Sequence, residues 1–192
     1  MKVSKIVSSV ILSVLFTGAS SVFAQEKMAK EETKMVGGAA MYPSKDIVSN
    51  AVNSKDHTTL VAAVQAADLV TTLQGEGPFT VFAPTNAAFD KLPAGTVETL
   101  LKPENKTMLQ SVLTYHVVAG KYSADDIVKA IKTGNGKATF TTVNGAKLTA
   151  MLKGKKVQLM DGAGNISTVT IADVNQSNGV IHVIDAVVLA GK

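Results

Sequence analysis

Helical periodicity early in the chain and antiparallel hairpin signals later predict an α+β fold. Apolar residues recur at helical spacing in Ile47, Val48, Ala51 and Val52, in Leu60, Val61, Val64 and Ala67, and in Met108, Leu109, Val112 and Leu113. From Lys137 onward the pattern changes. Asn144-Gly145 separates Thr139–Val143 from Lys147–Leu152, and that dipeptide readily supplies the positive φ angles of a tight hairpin. Within the helical region, Gly77 to Phe89 (GPFTVFAPTNAAF) runs a buried strand directly into a helix.

Each element has a local cause. Folded structure is expected from Pro43, with Ser44 capping a first helix. A second begins at His57 or Thr58 and ends near Gly75. Phe79 to Ala83 is apolar and mostly β-branched or aromatic, which suits a buried strand. Pro84 lacks an N–H and ends the ladder. Thr85 can cap the short helix that follows, which Pro93 limits. Thr96 starts another helix, and Pro103 suits the first residue of the next. Tyr115–Ala119 reads as a strand, with Tyr115, Val117 and Ala119 on one face and His116 and Val118 on the other. Ser123-x-x-Asp126 resembles a capping box for a helix through Ile131. Gly162 to Asn165 links Val157–Met160 to Ile166–Asp173, and Asn178-Gly179 turns into a last strand that is apolar on both faces. Two-sided hydrophobicity marks a central, covered strand. His182 and Asp185 within it must therefore find partners or reach the strand's edge, because an unsatisfied buried polar group costs about 1–3 kcal/mol.

The chain's first residues read as a targeting segment. Lys2 and Lys5 precede an apolar run from Ile6 to Phe16, and Val22-Phe23-Ala24 offers the small residues a signal peptidase needs. Residues 1–24 are thus expected to be a signal peptide, too short for a stable membrane span. Residues 25–42 mix balanced charge with Gly37-Gly38 and read as a flexible arm. The alternative is a short helix or partner contact through Met28, Met35 and Met41. Residues 43–190 form a single domain without internal repeats.

Three segments together resemble the fasciclin domain, a secreted module of animal matrix proteins and many small bacterial proteins. They are TVFAPTNAAF (Thr80 to Phe89), Tyr115-His116 and NGVIHVIDAVVL (Asn178 to Leu189), with a lead-in at Asp56 to Leu73. The resemblance implies two β-sheets forming a wedge with several helices packed around them. In animal members the Tyr-His region is implicated in integrin binding. So is a second segment before the closing Asn-Gly, of acidic-Pro-Asp-Ile-Met type. The resemblance therefore nominates Tyr115, His116, Asp173 and Val174 as partner contacts. Ile171 and Ala172 replace the acid and proline of the second segment, and integrins are not bacterial partners. For His116 two readings stand: a buried imidazole tying its strand to the helices, or a recognition residue.

Composition narrows the chemistry. With no cysteine, thiol catalysis, thiolate-bound zinc and iron–sulfur clusters are excluded. The 19 bases facing 15 acids are all lysine, without the arginine that makes bidentate phosphate or guanine contacts. Lys153, Lys155 and Lys156 form a basic cluster that reads as a solvated hairpin tip. The three histidines, His57, His116 and His182, fall in no metal-ligand spacing, and no nucleophile elbow or phosphate-cradling loop occurs. The expectation is an exported, non-catalytic adhesion or surface-interaction module, periplasmic or secreted. It should be monomeric and need no cofactor or metal. Its partner would be a cell-surface or matrix component, protein or polysaccharide; nucleic acid and membrane insertion are not expected. The alternative is a periplasmic stress-response or ligand-binding protein, holding a small apolar or carbohydrate molecule between sheet and helices.

Overall fold

The computed structural model describes residues 32–191, which lie within one compact unit. The expected signal peptide and the first part of the expected arm fall outside the described residues. The rest of that arm differs from expectation. Strands β1 (Lys34–Val36) and β2 (Ala39–Met41) pair antiparallel across Gly37-Gly38. Both glycines have positive φ, +57° and +78°, as a type I′ turn requires. Val36 and Met41 point into the main core, and Lys34 Nζ donates to the Ala172 carbonyl at 2.8 Å. Three-residue strands are too short for alternation to stand out among charged neighbours, so burial decided this element.

Helix α1 (Ile47–Ala51) is capped by Asp46 rather than Ser44: Asp46 Oδ1 accepts from the amides of Val48 and Ser49, each at 2.9 Å. The second predicted helix is two, α2 (Thr58–Ala66) and α3 (Val70–Gln74), because Asp68 takes a left-handed φ of +54° between them. After β3 (Phe79–Pro84), Thr85 occupies the cap position of α4 (Asn86–Phe89) without a side-chain capping bond. Asn86 instead ties the junction down, accepting from the Thr59 amide at 3.0 Å and donating to the Lys55 carbonyl at 2.9 Å. Next come α5 (Thr96–Leu100), α6 (Lys106–Tyr115), β4 (Val117–Ala119) and α7 (Ala124–Thr133), the last with the predicted Ser123–Asp126 capping box.

Strands β5 (Lys137–Thr141), β6 (Lys147–Lys153), β7 (Lys156–Met160), β8 (Ile166–Gln176) and β9 (Gly179–Ile184) complete a seven-stranded sheet in the order β4-β3-β9-β8-β7-β6-β5. β9 is buried at every position and runs parallel to β3, as expected for the covered central strand. The two sheets of the expected wedge are two halves of this sheet that share β8. The register of β8 against β9 shifts twice between Val169 and Val174, and such bulges bend a strand. The far edges then meet: Val118 of β4 bridges Thr142 beyond β5. Gly179 is needed at the start of β9 because a Cβ there would fall 2.1 Å from the Phe79 carbonyl oxygen.

Two apolar cores result. One lies between β3, β9 and the helices and holds Ile47, Leu60, Val81, Leu113 and Val183. The other fills the inside of the bent sheet under α7 and holds Phe82, Ile127, Ile131, Leu148, Leu159 and Ile184. Alternate residues of β3 serve the two cores, so the pleat itself joins them.

Candidate functional site

Tyr115 and His116 do not lie in a strand. Tyr115 is the last residue of α6 and His116 its C-terminal cap, with helical backbone angles of −82° and −2°. The chain becomes extended only at Val117. The cause is local: His116 Nδ1 donates back to the Val112 carbonyl at 2.8 Å, satisfying one of the carbonyls a helix end leaves open. Its Nε2 accepts the Val188 amide at 3.1 Å. Both ring nitrogens are used, which selects the neutral Nδ1–H tautomer. Burial drives the pKa of His116 down to about 4, against the opposing pull of the Val112 carbonyl and Asp161.

Tyr115 is fully buried in the second core. Its hydroxyl donates to the Lys147 carbonyl at 2.8 Å and accepts the Gly162 amide at 3.0 Å. Beside it stands Asp161, a residue that the sequence reading did not single out. Asp161 accepts from the amides of Ala163 (2.9 Å), Asn165 (2.8 Å) and Leu189 (2.9 Å). The available signal was the Asp-Gly-x-Gly-Asn turn, where an aspartate commonly bonds backbone two residues on. Tyr115, His116 and Asp161 together clamp the β7–β8 turn and the segment after β9 onto the end of α6.

The second nominated pair lies elsewhere. Asp173 sits in the bulged part of β8 with a φ of +55°. Its carboxylate accepts the Ala124 amide at 2.7 Å, at the start of α7, and its own amide donates to His182 Nδ1 at 3.3 Å. His182 Nε2 donates in turn to the Tyr122 carbonyl at 2.8 Å, and the ring stacks on Phe82 with centroids 5.7 Å apart. Burial lowers the His182 pKa too. Val174 is a core residue at 1% exposure. Asp185 finds the Thr168 amide at 2.7 Å. The fold places Asp173 against His182, far from the Tyr115-His116 pair, and leaves Tyr115, His116 and Val174 with almost no exposed surface.

His57 completes the histidines. Its Nδ1 bonds Ser54 Oγ at 2.8 Å, while Nε2 makes no hydrogen bond of good geometry among the described residues. Burial lowers its pKa, opposed by the nearby Ala83 carbonyl and Asp56. Among the described residues no three His, Asp or Glu side chains gather as a metal site would require.

One small concavity is apolar. A cavity of about 70 Å³ opens between α1, α2, α3 and the β3–β4 pair. Its wall is almost entirely apolar, from Val48, Leu60, Val64, Leu73, Phe79 and Leu113, with Val143 half-exposed at the rim. No charged side chain lines it.

The fasciclin domain family model matches residues 55–190. The chain belongs to the fasciclin family. Among relatives of this fasciclin protein, "Protein sll1483" of Synechocystis is 46% identical over 97% of this chain and 96% of its own length. The cell surface glycolipoprotein MPB83 of Mycobacterium bovis is 38% identical over 80% of this chain and 63% of its own. The immunogenic protein MPB70 of the same species is 38% identical over 72% of this chain and 66% of its own. A solved FAS1 domain pair from the insect cell adhesion molecule Fasciclin I matches with a TM-score of 0.49 and 25% identity, covering 66% of this chain and 40% of that one. No helix among the described residues is long and apolar enough to cross a membrane.

Proposed function

We propose that this fasciclin protein is an exported module that works by non-catalytic surface contact. The supporting observation is how its polar residues are employed. His116, His182, Tyr115, Asp161 and Asp173 are all bonded to backbone groups of the fold itself, and even His116, which borders the apolar cavity, has both ring nitrogens occupied in this way. The mycobacterial relatives named for the cell surface and for immunogenicity agree with a role outside the cytoplasm. Contact then falls to exposed surfaces, and the nominated pairs act by holding those surfaces in place. Beads carrying the protein should be retained on envelope or matrix material from its own surroundings more strongly than beads carrying a lysine-matched control domain. Equal retention would overturn the proposal.

The apolar cavity supports a second reading, the binding of a small apolar molecule between sheet and helices. A ligand that binds only the folded state raises stability with concentration. A panel of aliphatic and aromatic probes should then raise Tm in the native protein and do so less in Leu73→Arg, which places a charge in the wall. No shift with any probe would end this reading.

A further inference from the structure

The outer face of the β5–β8 half-sheet carries a charge pattern that folding does not require. α7 packs on the inner side of these strands through Ile127 and Ile131, together with Leu148, Ala150 and Leu159. On the other side, the β1–β2 hairpin meets the bulged end of β8. The strand register places Thr141 beside Lys147, and Thr139 beside Thr149 and Met160. Lys137 lies beside Met151, Gln158 and Thr168, and Lys153 beside Lys156. The stretch from Lys137 to Met160 holds five lysines and no acid, more positive charge than the whole chain's formal +4. Asp161 and Asp173, the acids that follow, are occupied by backbone amides.

Lys153 and Lys156 stand directly opposite each other on paired strands, with Lys155 in the turn between them. Like charges at such positions destabilise a sheet. Lys137 lies one same-face step away on the next strand, so three adjacent strands each present an ammonium at one corner of the sheet. Among the described residues, Lys137, Lys153, Lys155 and Lys156 make no ion pair. A local rule broken with no compensation inside the fold points outward.

We propose that this face binds an acidic polysaccharide. A polyanion laid diagonally across β5, β6 and β7 meets Lys137, Lys153 and Lys156 in turn. The threonines and Gln158 alongside supply donors and acceptors for sugar hydroxyls. Nucleic acid fits less well: the face has no arginine for phosphate and no aromatic side chain on which bases could stack. The inference rests on the surface-contact reading and names the partner class for it.

The test compares two double variants of equal charge: Lys153→Glu with Lys156→Glu on the face, and Lys102→Glu with Lys121→Glu elsewhere on the exposed surface. Binding to polygalacturonate, neutral dextran, duplex DNA and phosphatidylglycerol vesicles is measured at low and high salt, after thermal melting confirms both variants are folded. The native protein should bind polygalacturonate in a salt-dependent way and ignore dextran. The face variant should lose about tenfold or more in affinity while the control variant loses much less. Equal losses in both variants, no binding to polygalacturonate, or tighter binding to DNA or vesicles would overturn the proposal. If the face variant still adheres to envelope material as the native protein does, surface contact stands and this face is not its site.

Discussion

His116 is held between the Val112 carbonyl and the Val188 amide, and removing it strands both groups inside the protein. His116→Phe fills much of the space but leaves an orphan donor and acceptor, so stability should fall by about 2–4 kcal/mol by urea denaturation. Adhesion per folded molecule should not change, whereas a recognition residue would show the reverse. Its protonation gives a second test. The unfolded ring takes up a proton near pH 6.5 and the folded ring only near pH 4. Between those values the unfolded state binds the extra proton, so stability should decline as pH falls from 6.5 to 4 and stay level above. For a fully buried group the decline approaches about 3 kcal/mol. His182 and His57 are shifted in the same direction and add to it. Urea midpoints between pH 7 and 4 should show this slope, and His116→Phe should make it shallower, leaving the share of His182 and His57.

The β1–β2 hairpin shows how an element can be fixed by packing that its own sequence hardly announces. Met41 is 2% exposed among Val36, Ile47 and Leu60. Met41→Ala should therefore cost about 2–5 kcal/mol in chemical denaturation, whereas a free arm would register no change. The α7 cap is the opposite case, legible from Ser123-x-x-Asp126 alone. Ser123→Ala should lose about 1 kcal/mol, the ordinary worth of a side-chain cap. Between these lies the junction after β3. Pro84 and Thr85 announced its place, yet Asn86 secures it through bonds to Lys55 and Thr59. Asn178 does similar work at the start of β9, accepting the Ile47 amide and donating to the carbonyls of Leu73 and Gly75. Long-range bonds of this kind leave no periodic trace in the sequence.

At the scale of the whole molecule, the two cores share β3 and β9. Phe82 faces the inside of the bent sheet while Val81 and Ala83 face the helices. Neither core can dissolve without exposing the other face of the same strands. Unfolding should therefore be one transition, with near-UV and far-UV signals coinciding. Phe82→Ala should lower that single midpoint by the equivalent of about 3–5 kcal/mol and not split it. The meeting of Val118 with Thr142 also removes an open sheet edge, so on the proposed reading contact falls to faces and loops.

Local signals in the sequence settled the α+β class, the covered last strand and the capping box, and marked the hairpin around Asn144-Gly145, whose loop is longer than the dipeptide suggested: Thr141 pairs with Lys147 and only Gly145 takes a positive φ. Each depends on periodicity, turn stereochemistry or a cap within a few residues. The family followed from three motifs whose residues are, in the structure, mostly core. Only the tertiary structure showed which groups Tyr115, His116 and Asp173 bond and that Val174 is core. Whether an imidazole is a strut or a contact depends on which distant backbone groups reach it, and Val188 is 72 residues away. It also decided that Lys137, Lys147, Lys153 and Lys156 share one face of the half-sheet, because strand register, not spacing along the chain, sets which side chains stand together.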